Sequence, residues 1–427
     1  MVWTAVLALV VILAIGIPVA AGLVLLALVL DYSFSFLPLR LAFGEITWST
    51  STNFILFAIP LFILLGEILL RSGIAERMYA AMTHWLSWLP GGLMHSNIGT
   101  CTLFAAVSGS SVATAATIGT VAVEQIEKFG YNERLYLGTI AAGGTLGILI
   151  PPSIPMIVYG ALTDTSIPQL YLAGILPGLV LAVLFMATVM LACVLRPAWG
   201  GRRPPTDWGA RWRSLKDLLP PLVIFAVVIG SIYAGVATPT ESAALGVVAA
   251  FGLAFWKRRV SWTMLRDTFE GTMKTTAMIM AILIAAYFVN FVITSIGLSG
   301  KVTGYVTGLG FSPTGTMIAI VLFYLVLGMF MESLSMLVAT VPIITPAVMA
   351  LGFNPVWFGV IIMLLLETAL ITPPVGFNLF VVQAVRSRGR IYDVIVGSLP
   401  FVLTLMVMIA LLIAFPQIAL WLPAKLS

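Results

Sequence analysis

The sequence predicts an all-α polytopic membrane protein made of two inverted repeats, each with about five spans and one re-entrant hairpin. Three observations carry this. The 427 residues are 61% hydrophobic and only 9% charged, with a mean hydropathy of +1.12; soluble domains carry roughly 25% charged residues. A Pro-Pro pair interrupts an apolar segment twice, in Leu149-Ile150-Pro151-Pro152-Ser153 and in Ile371-Thr372-Pro373-Pro374-Val375. Proline cannot continue a helix, and irregular backbone at membrane depth survives only where protein or a water-filled cavity surrounds it. Finally, landmarks recur at a separation of 222–224 residues. They are Gly22 with Gly246, Gly73 with Gly297, Ser111 with Ser335, Gly130 with Gly352, Pro151 with Pro373, and Gly174 with Gly397 at 223.

The same order of elements is expected in each unit. A pair of short spans opens it, near 2–16 and 18–35, echoed near 218–235 and 239–256. The turn from Gly235 to Thr240 favours two spans in each copy. A third span follows near 52–71 and 273–296, then a mildly amphipathic segment near 74–89 and 298–309. Segments 96–127 and 313–350 are too short for two full spans of ~20 residues each. Their centres, Ser108-Gly109-Ser110-Ser111 and Ser333-Leu334-Ser335, are small and hydroxylated. They read as re-entrant hairpins, with one long tilted span carrying a Ser-lined packing face as the alternative. A proline-broken span follows near 133–162 and 355–385, and a last span near 169–196 and 392–422.

Five crossings per unit is an odd number, so the second copy is inverted. Placing the N-terminus outside puts 18 of the 21 Lys and Arg residues in the cytoplasm and leaves only Arg40, Lys301 and Lys425 outside. This is the bias of the positive-inside rule. The units are therefore 1–196 and 218–427, joined by a basic, proline-containing cytoplasmic linker at 197–217. The run from Val2 to Leu30 lacks a basic leader and reads as an uncleaved membrane helix. Cys101 and Cys193 read as small buried residues, and His84 and His95 as surface or interfacial ones.

Several functions are excluded. The net charge of +5 is a topology signal, not a nucleic-acid signature. Gly109-Ser110-Ser111 lacks the nucleophile-elbow pattern. Gly143 to Gly147 lacks the lysine of a phosphate loop, so the chain is not expected to be an enzyme or to use ATP.

Broken helices and hairpin tips free carbonyl oxygens, which with Ser and Thr hydroxyls suit a small hard cation; half-helix N-termini suit an anionic substrate group. Two Na⁺ sites are expected. The first draws on Ser108, Gly109, Ser110, Gly147 and Pro151, the second on Glu332, Ser333, Ala369, Thr372 and Gly376. Substrate is expected between the tips, against Ser110, Ser111, Pro152, Ser153, Ser335, Pro374 and Asn378. Among the acids, Glu67 can pair with Arg71, and Glu241 can cap a helix beside Thr238. Glu332 and Glu367 lie next to the second tip and the second break, where a carboxylate can tune a cation site or carry a proton.

At these residues the chain resembles the large membrane subunit of a tripartite ATP-independent periplasmic (TRAP) transporter. The resemblance is strongest in Ala106-Val107-Ser108-Gly109-Ser110-Ser111, Ile150-Pro151-Pro152-Ser153-Ile154-Pro155, Ala173 to Gly178, Ala237 to Glu241, and Ile371 to Leu379. It implies an elevator-type, Na⁺-driven importer of organic acids, such as a C4-dicarboxylate or sialic acid, in the bacterial inner membrane. The partners it implies are a small four-helix membrane subunit and a periplasmic substrate-binding protein. The chain departs from the family pattern at Ala369, where Gly is frequent, and at Leu365 or Leu366, where an Asn occurs. Alternatives are a standalone Na⁺- or H⁺-coupled carboxylate symporter and a passive channel. The inverted topology makes a direct prediction: in intact cells, a cysteine placed at Arg202 is shielded from an impermeant thiol reagent and one placed at Arg40 is labelled.

Overall fold

The computed structural model describes residues 2–205, 207–308, 310–386 and 388–426; Thr206, in the expected linker, and Leu309, closing the expected segment 298–309, lie outside the described residues. The regular secondary structure of the described residues is entirely helical, without strands. Helices α1 (Val2–Ile15) and α2 (Val19–Phe34) are separate, parted by Gly16 at φ +73° and by Pro18. Next comes α3 (Leu39–Ser51), an element the sequence reading did not anticipate. The following helix, α4 (Ala58–Arg71), starts later than the expected span at 52. The Asn53 side chain turns the chain by accepting the Ile55 N–H at 3.0 Å. Gly73, at φ +70°, then separates α4 from α5 (Ile74–Leu86).

The first hairpin is α6 (Leu93–Ser108) and α7 (Ser111–Ala122), followed by the short α8 (Gln125–Phe129). The broken element is α9 (Glu133–Thr145) and α10 (Ile154–Thr163), and α11 (Ile167–Leu195) ends this half. The second half runs α12 (Trp208–Tyr233), α13 (Pro239–Trp256), α14 (Trp262–Ser295) and α15 (Leu298–Gly308). Its hairpin is α16 (Pro313–Gly328) and α17 (Ser333–Ala350), and its broken element α18 (Pro355–Ile371) and α19 (Phe377–Val385). The expected last span at 392–422 is two helices, α20 (Ile391–Ala414) and α21 (Gln417–Leu426), because Pro416 interrupts it.

The halves differ where α3 and α4 face a single helix. Ser261 caps α14 by accepting the Met264 N–H at 3.1 Å. The helix then runs 34 residues, about 50 Å, longer than an apolar layer of ~30 Å. Its first turns carry Arg266, Glu270 and Lys274. Six helices among the described residues are long and apolar enough to cross a membrane: α11, α12, α13, α14, α17 and α20. The bent pair α4–α5 would make seven. The other expected crossings are short because tips, breaks and turns divide them.

Two packing groups result. In one, α2, α4, α12, α13 and α14 lie on one another, with α1 and α3 against α2. In the other, the hairpins and broken helices assemble with α11 and α20. The groups meet where α4 touches α6, α7 and α10, where α12 touches α6 and where α14 touches α17; α5 and α15 bridge them, α5 between α12 and α6 and α15 between α14 and α17. Inside the second group the closest crossing is α9 on α20. A Cβ on Gly138 would collide with the Gly397 carbonyl, and one on Gly397 with that of Arg134. Small residues let helix backbones approach this closely.

Two expectations are refined by the packing. The linker does not stay irregular to residue 217, because Asp207 caps α12 and helix begins at Trp208. Its earlier part docks on the turn before α9, where Asn132 N donates to Trp199 O at 3.2 Å. His95, expected at a surface, is only 1% exposed. Its Nε2 meets the Pro90 carbonyl at 2.7 Å, and Val189 and Cys193 of α11 crowd the Gly91 turn beside it. His84 is half-buried, and both cysteines are free and buried as expected. The α9–α20 crossing yields a test: Gly138→Leu and Gly397→Leu should each cost about 3 kcal/mol or the fold itself, read as a lower midpoint in detergent thermal unfolding, whereas Gly230→Leu, with open space around it, should not.

Candidate functional site

The first tip forms because α6 ends at Gly109, in the left-handed region at φ +60°. Ser110 then caps α7, its hydroxyl accepting the Ala113 N–H at 3.3 Å. The Ser110 carbonyl accepts from Thr114 Oγ1 at 2.7 Å, and Ser108 Oγ lies 3.1 Å from the same hydroxyl. The break lies directly against this tip. A Cβ on Gly109 would strike the Pro152 carbonyl, and one on Gly147 would lie 2.8–2.9 Å from the main chain of Ser110 and Ser111. Only glycines permit this approach. The Pro151-Pro152 peptide is cis. Ser153 caps α10, and its hydroxyl donates back to the Ile148 carbonyl. The first-set residues Ser108, Gly109, Ser110 and Gly147 are thus drawn together beside the Pro151-Pro152 break, all buried except the half-buried Ser110.

The second tip has the same plan with different chemistry. Glu332 caps α17: its carboxylate accepts Leu334 N, Ser335 N and Ser335 Oγ, each at 3.0 Å. Ser333 Oγ donates to the Leu366 carbonyl at 3.4 Å. Tip and break again touch through main chain, Val375 N donating to Met329 O at 3.4 Å. Here the broken helix α18 carries Ala369, and the glycine sits on the hairpin: a Cβ on Gly328 would lie 2.7 Å from Ala369 Cβ. The extra methyl at 369 is accommodated by a missing one at 328. Thr372 ends α18 in an extended conformation, its hydroxyl on Thr368 O at 2.7 Å. Pro373-Pro374 is cis, and Gly376, at φ +33°, starts α19.

The halves interlock at these elements. Helix α7 packs on α19, and α17 on α10. Asn378 Nδ2 donates to Ser111 Oγ at 2.8 Å and to Ala141 O at 3.1 Å. One α9 turn further on, Thr145 Oγ1 and Glu367 Oε2 are 3.3 Å apart. Glu367 is fully buried, and its Oε1 and the Asn378 Oδ1 have no hydrogen-bond partner among the described residues. So Asn378, expected against substrate, spends its amide N–H groups on joining the halves. Glu67 pairs with Arg71, and Glu241 completes a capping box with Thr238, which gives each a structural role.

Sequence reasoning missed Thr114, Thr145 and Gly328. Thr145 was findable, since it stands 222 residues from Glu367, the same interval as the two Pro-Pro pairs. Gly328 had no signal, because its partner across the contact is distant in the chain. Among the described residues no cluster of His, Cys, Asp and Glu could hold a transition-type metal. The oxygens at tips and breaks are hydroxyls, carbonyls and a carboxylate, which are hard donors.

Comparison with known proteins places this geometry. Residues 6–418 match the family model described as tripartite ATP-independent periplasmic transporter, DctM component. The chain is 35% identical to the C4-dicarboxylate TRAP transporter large permease protein DctM of Pseudomonas aeruginosa, over 88% of each chain. It is 34% identical to the ectoine TRAP transporter large permease protein TeaC of Halomonas elongata, over 86% of each. Among solved structures, the YdaH transporter of Alcanivorax borkumensis is similar at a TM-score of 0.63 and 16% identity, covering 97% of this chain and 98% of that one.

The interlock predicts that Asn378→Leu, which strands Ser111 Oγ and Ala141 O, lowers unfolding stability by about 2–4 kcal/mol, measured by chemical denaturation in detergent micelles. Val382→Leu, on the same helix, should cost less than half as much.

Proposed function

The chain belongs to the family of DctM components of tripartite ATP-independent periplasmic transporters, and on that premise we propose that it is the large permease of a Na⁺-driven importer of organic acids. The observation that carries the reading is the pair of hairpin tips, each pressed main chain to main chain against a Pro-Pro break. Such a contact gathers hydroxyl and carbonyl oxygens at two related positions, the first largely buried and the second partly open, with Pro374 exposed. Each position suits one Na⁺. The first site draws on Ser108, Gly109, Ser110, Gly147 and Pro151, and the second on Glu332, Ser333, Ala369, Thr372 and Gly376.

The two tips differ in charge. Glu332 sets a carboxylate against the N-terminus of α17, which offsets that end's partial positive charge and favours a cation beside it. The N-terminus of α7 is capped only by neutral Ser110. An anionic substrate group is accordingly better held on the first side, by Ser110, Ser111, Pro152 and Ser153, with Ser335 and Pro374 completing the lining and Asn378 positioning Ser111. No Lys or Arg occurs in residues 104–125, 144–160, 325–350 or 366–380. Carboxylate recognition therefore rests on N–H and hydroxyl donors, and selection among acids falls to the receptor. The relatives differ in the substrate their names carry, C4-dicarboxylate and ectoine, which agrees with selection outside the tips.

Movement follows from the packing. The hairpins and broken helices form one group, and it meets the α2–α4–α12–α13–α14 group directly and through the bridging helices α5 and α15. Sliding the first against the second as an elevator would carry substrate across while the ion sites stay intact. The Lys and Arg distribution supports inverted halves and a cytoplasmic linker. The tripartite family supports two partners, a small membrane subunit and a periplasmic binding protein, and a bacterial inner-membrane location.

The test is reconstitution with the small subunit and receptor in liposomes. Substrate should accumulate only with an inward Na⁺ gradient and only with the receptor present. Uptake that persists with choline in place of Na⁺ would overturn the ion assignment. Glu332→Gln should raise the Na⁺ concentration for half-maximal uptake by roughly tenfold, about 1.4 kcal/mol. Gly147→Val, which wedges the first tip off its break, should abolish uptake, and Ala369→Gly should preserve it.

A further inference from the structure

We propose that the cavity at the cytoplasmic end of α9, α11 and α20 is a binding site for an anionic phospholipid. The cavity measures about 750 Å³, and Arg134, Arg196, Trp199, Asp393, Leu399 and Leu403 are among its walls. The side of the membrane follows from the Lys and Arg distribution, which puts the start of α9 and the end of α11 in the cytoplasm.

Charge accounting favours a phosphate. Two carboxylates line the cavity, and both are already engaged. Glu133 is held by Arg386 at 2.5 Å. Asp393 is held by Arg134 at 3.0 Å and by Arg386 at 3.6 Å. Arg196 has no carboxylate within ion-pair distance among the described residues. Its guanidinium stacks over Trp199, 4.6 Å from the ring centroid, which fixes the charge at the cavity wall. Arg134 uses only its Nε on Asp393 and lies over the Tyr392 ring at 5.7 Å; its side chain is 53% exposed, and its terminal N–H groups make no hydrogen bond among the described residues. One positive charge is left over, together with unspent guanidinium donors suited to phosphate oxygens.

Apolar stripes commit the site to a lipid rather than a soluble phosphate. Leu399, Leu403 and Val407 are exposed at four-residue intervals on α20, and Leu191 and Leu195 at the same interval on α11. Residues four apart lie on one helix face. Both stripes run from the arginine end toward the membrane interior, giving an acyl chain a path on either side of the headgroup. Basic pockets between helices at the cytoplasmic surface bind anionic headgroups in this way.

The experiment is native mass spectrometry of the purified full chain, titrated with phosphatidylglycerol or phosphatidylcholine of matched acyl chains. Phosphatidylglycerol should bind more tightly, by about fivefold for each free arginine. Arg196→Gln should remove about fivefold of that preference and Arg196→Lys should keep part of it. Leu403→Ser should weaken both lipids alike. Millimolar inorganic phosphate should not displace the bound lipid. Equal binding of the two lipids by the unaltered chain would overturn the proposal. So would an unchanged preference in Arg196→Gln, or displacement by phosphate, which would mark a soluble-anion site. Should Arg196→Gln not fold, the lipid comparison and phosphate competition on the unaltered chain decide alone.

Discussion

Everything in this fold turns on one constraint: a main-chain N–H or C=O inside an apolar medium must find a partner or be sealed from lipid. The chain breaks two of its own helices with Pro-Pro pairs, and each break exposes polar backbone. It then covers each break with a hairpin tip. Gly109 and Gly147 make the first contact possible by offering no side chain. Val375 and Met329 make the second by an explicit main-chain hydrogen bond. The hairpins and the breaks are therefore one device, and neither is stable in lipid without the other.

The halves share this device but do not share its chemistry. The first tip is capped by a serine and the second by a glutamate. The glycine of the tight contact sits on the broken element in the first half, as Gly147, and on the hairpin in the second, as Gly328. Interlocking by Asn378 and by the Thr145–Glu367 contact holds both devices in one body. The two cradles are thus alike in backbone and unequal in charge.

Much of this was legible beforehand. The Pro-Pro pairs and the hydroxyl-rich tips fall where the structure stops its helices, because each reflects a local rule about backbone. The opening pair of helices was legible from the turn in its echo. Less was visible where tertiary contacts decide. The division of 392–422 at Pro416, the long continuous α14 and the extra helix α3 depend on how far each segment extends beyond the apolar layer. His95 looked interfacial by position, yet α11 folds over it.

The sequence by itself determined the class of protein, the order of its elements and the places where helices must stop, since composition, proline and glycine act within a few residues. Only the tertiary structure decided which oxygen meets which. Asn378 finds Ser111 across 267 positions and Gly328 finds Ala369 across the tip. Such pairings follow from how helices pack, and packing is a property of surfaces that no stretch of chain carries alone.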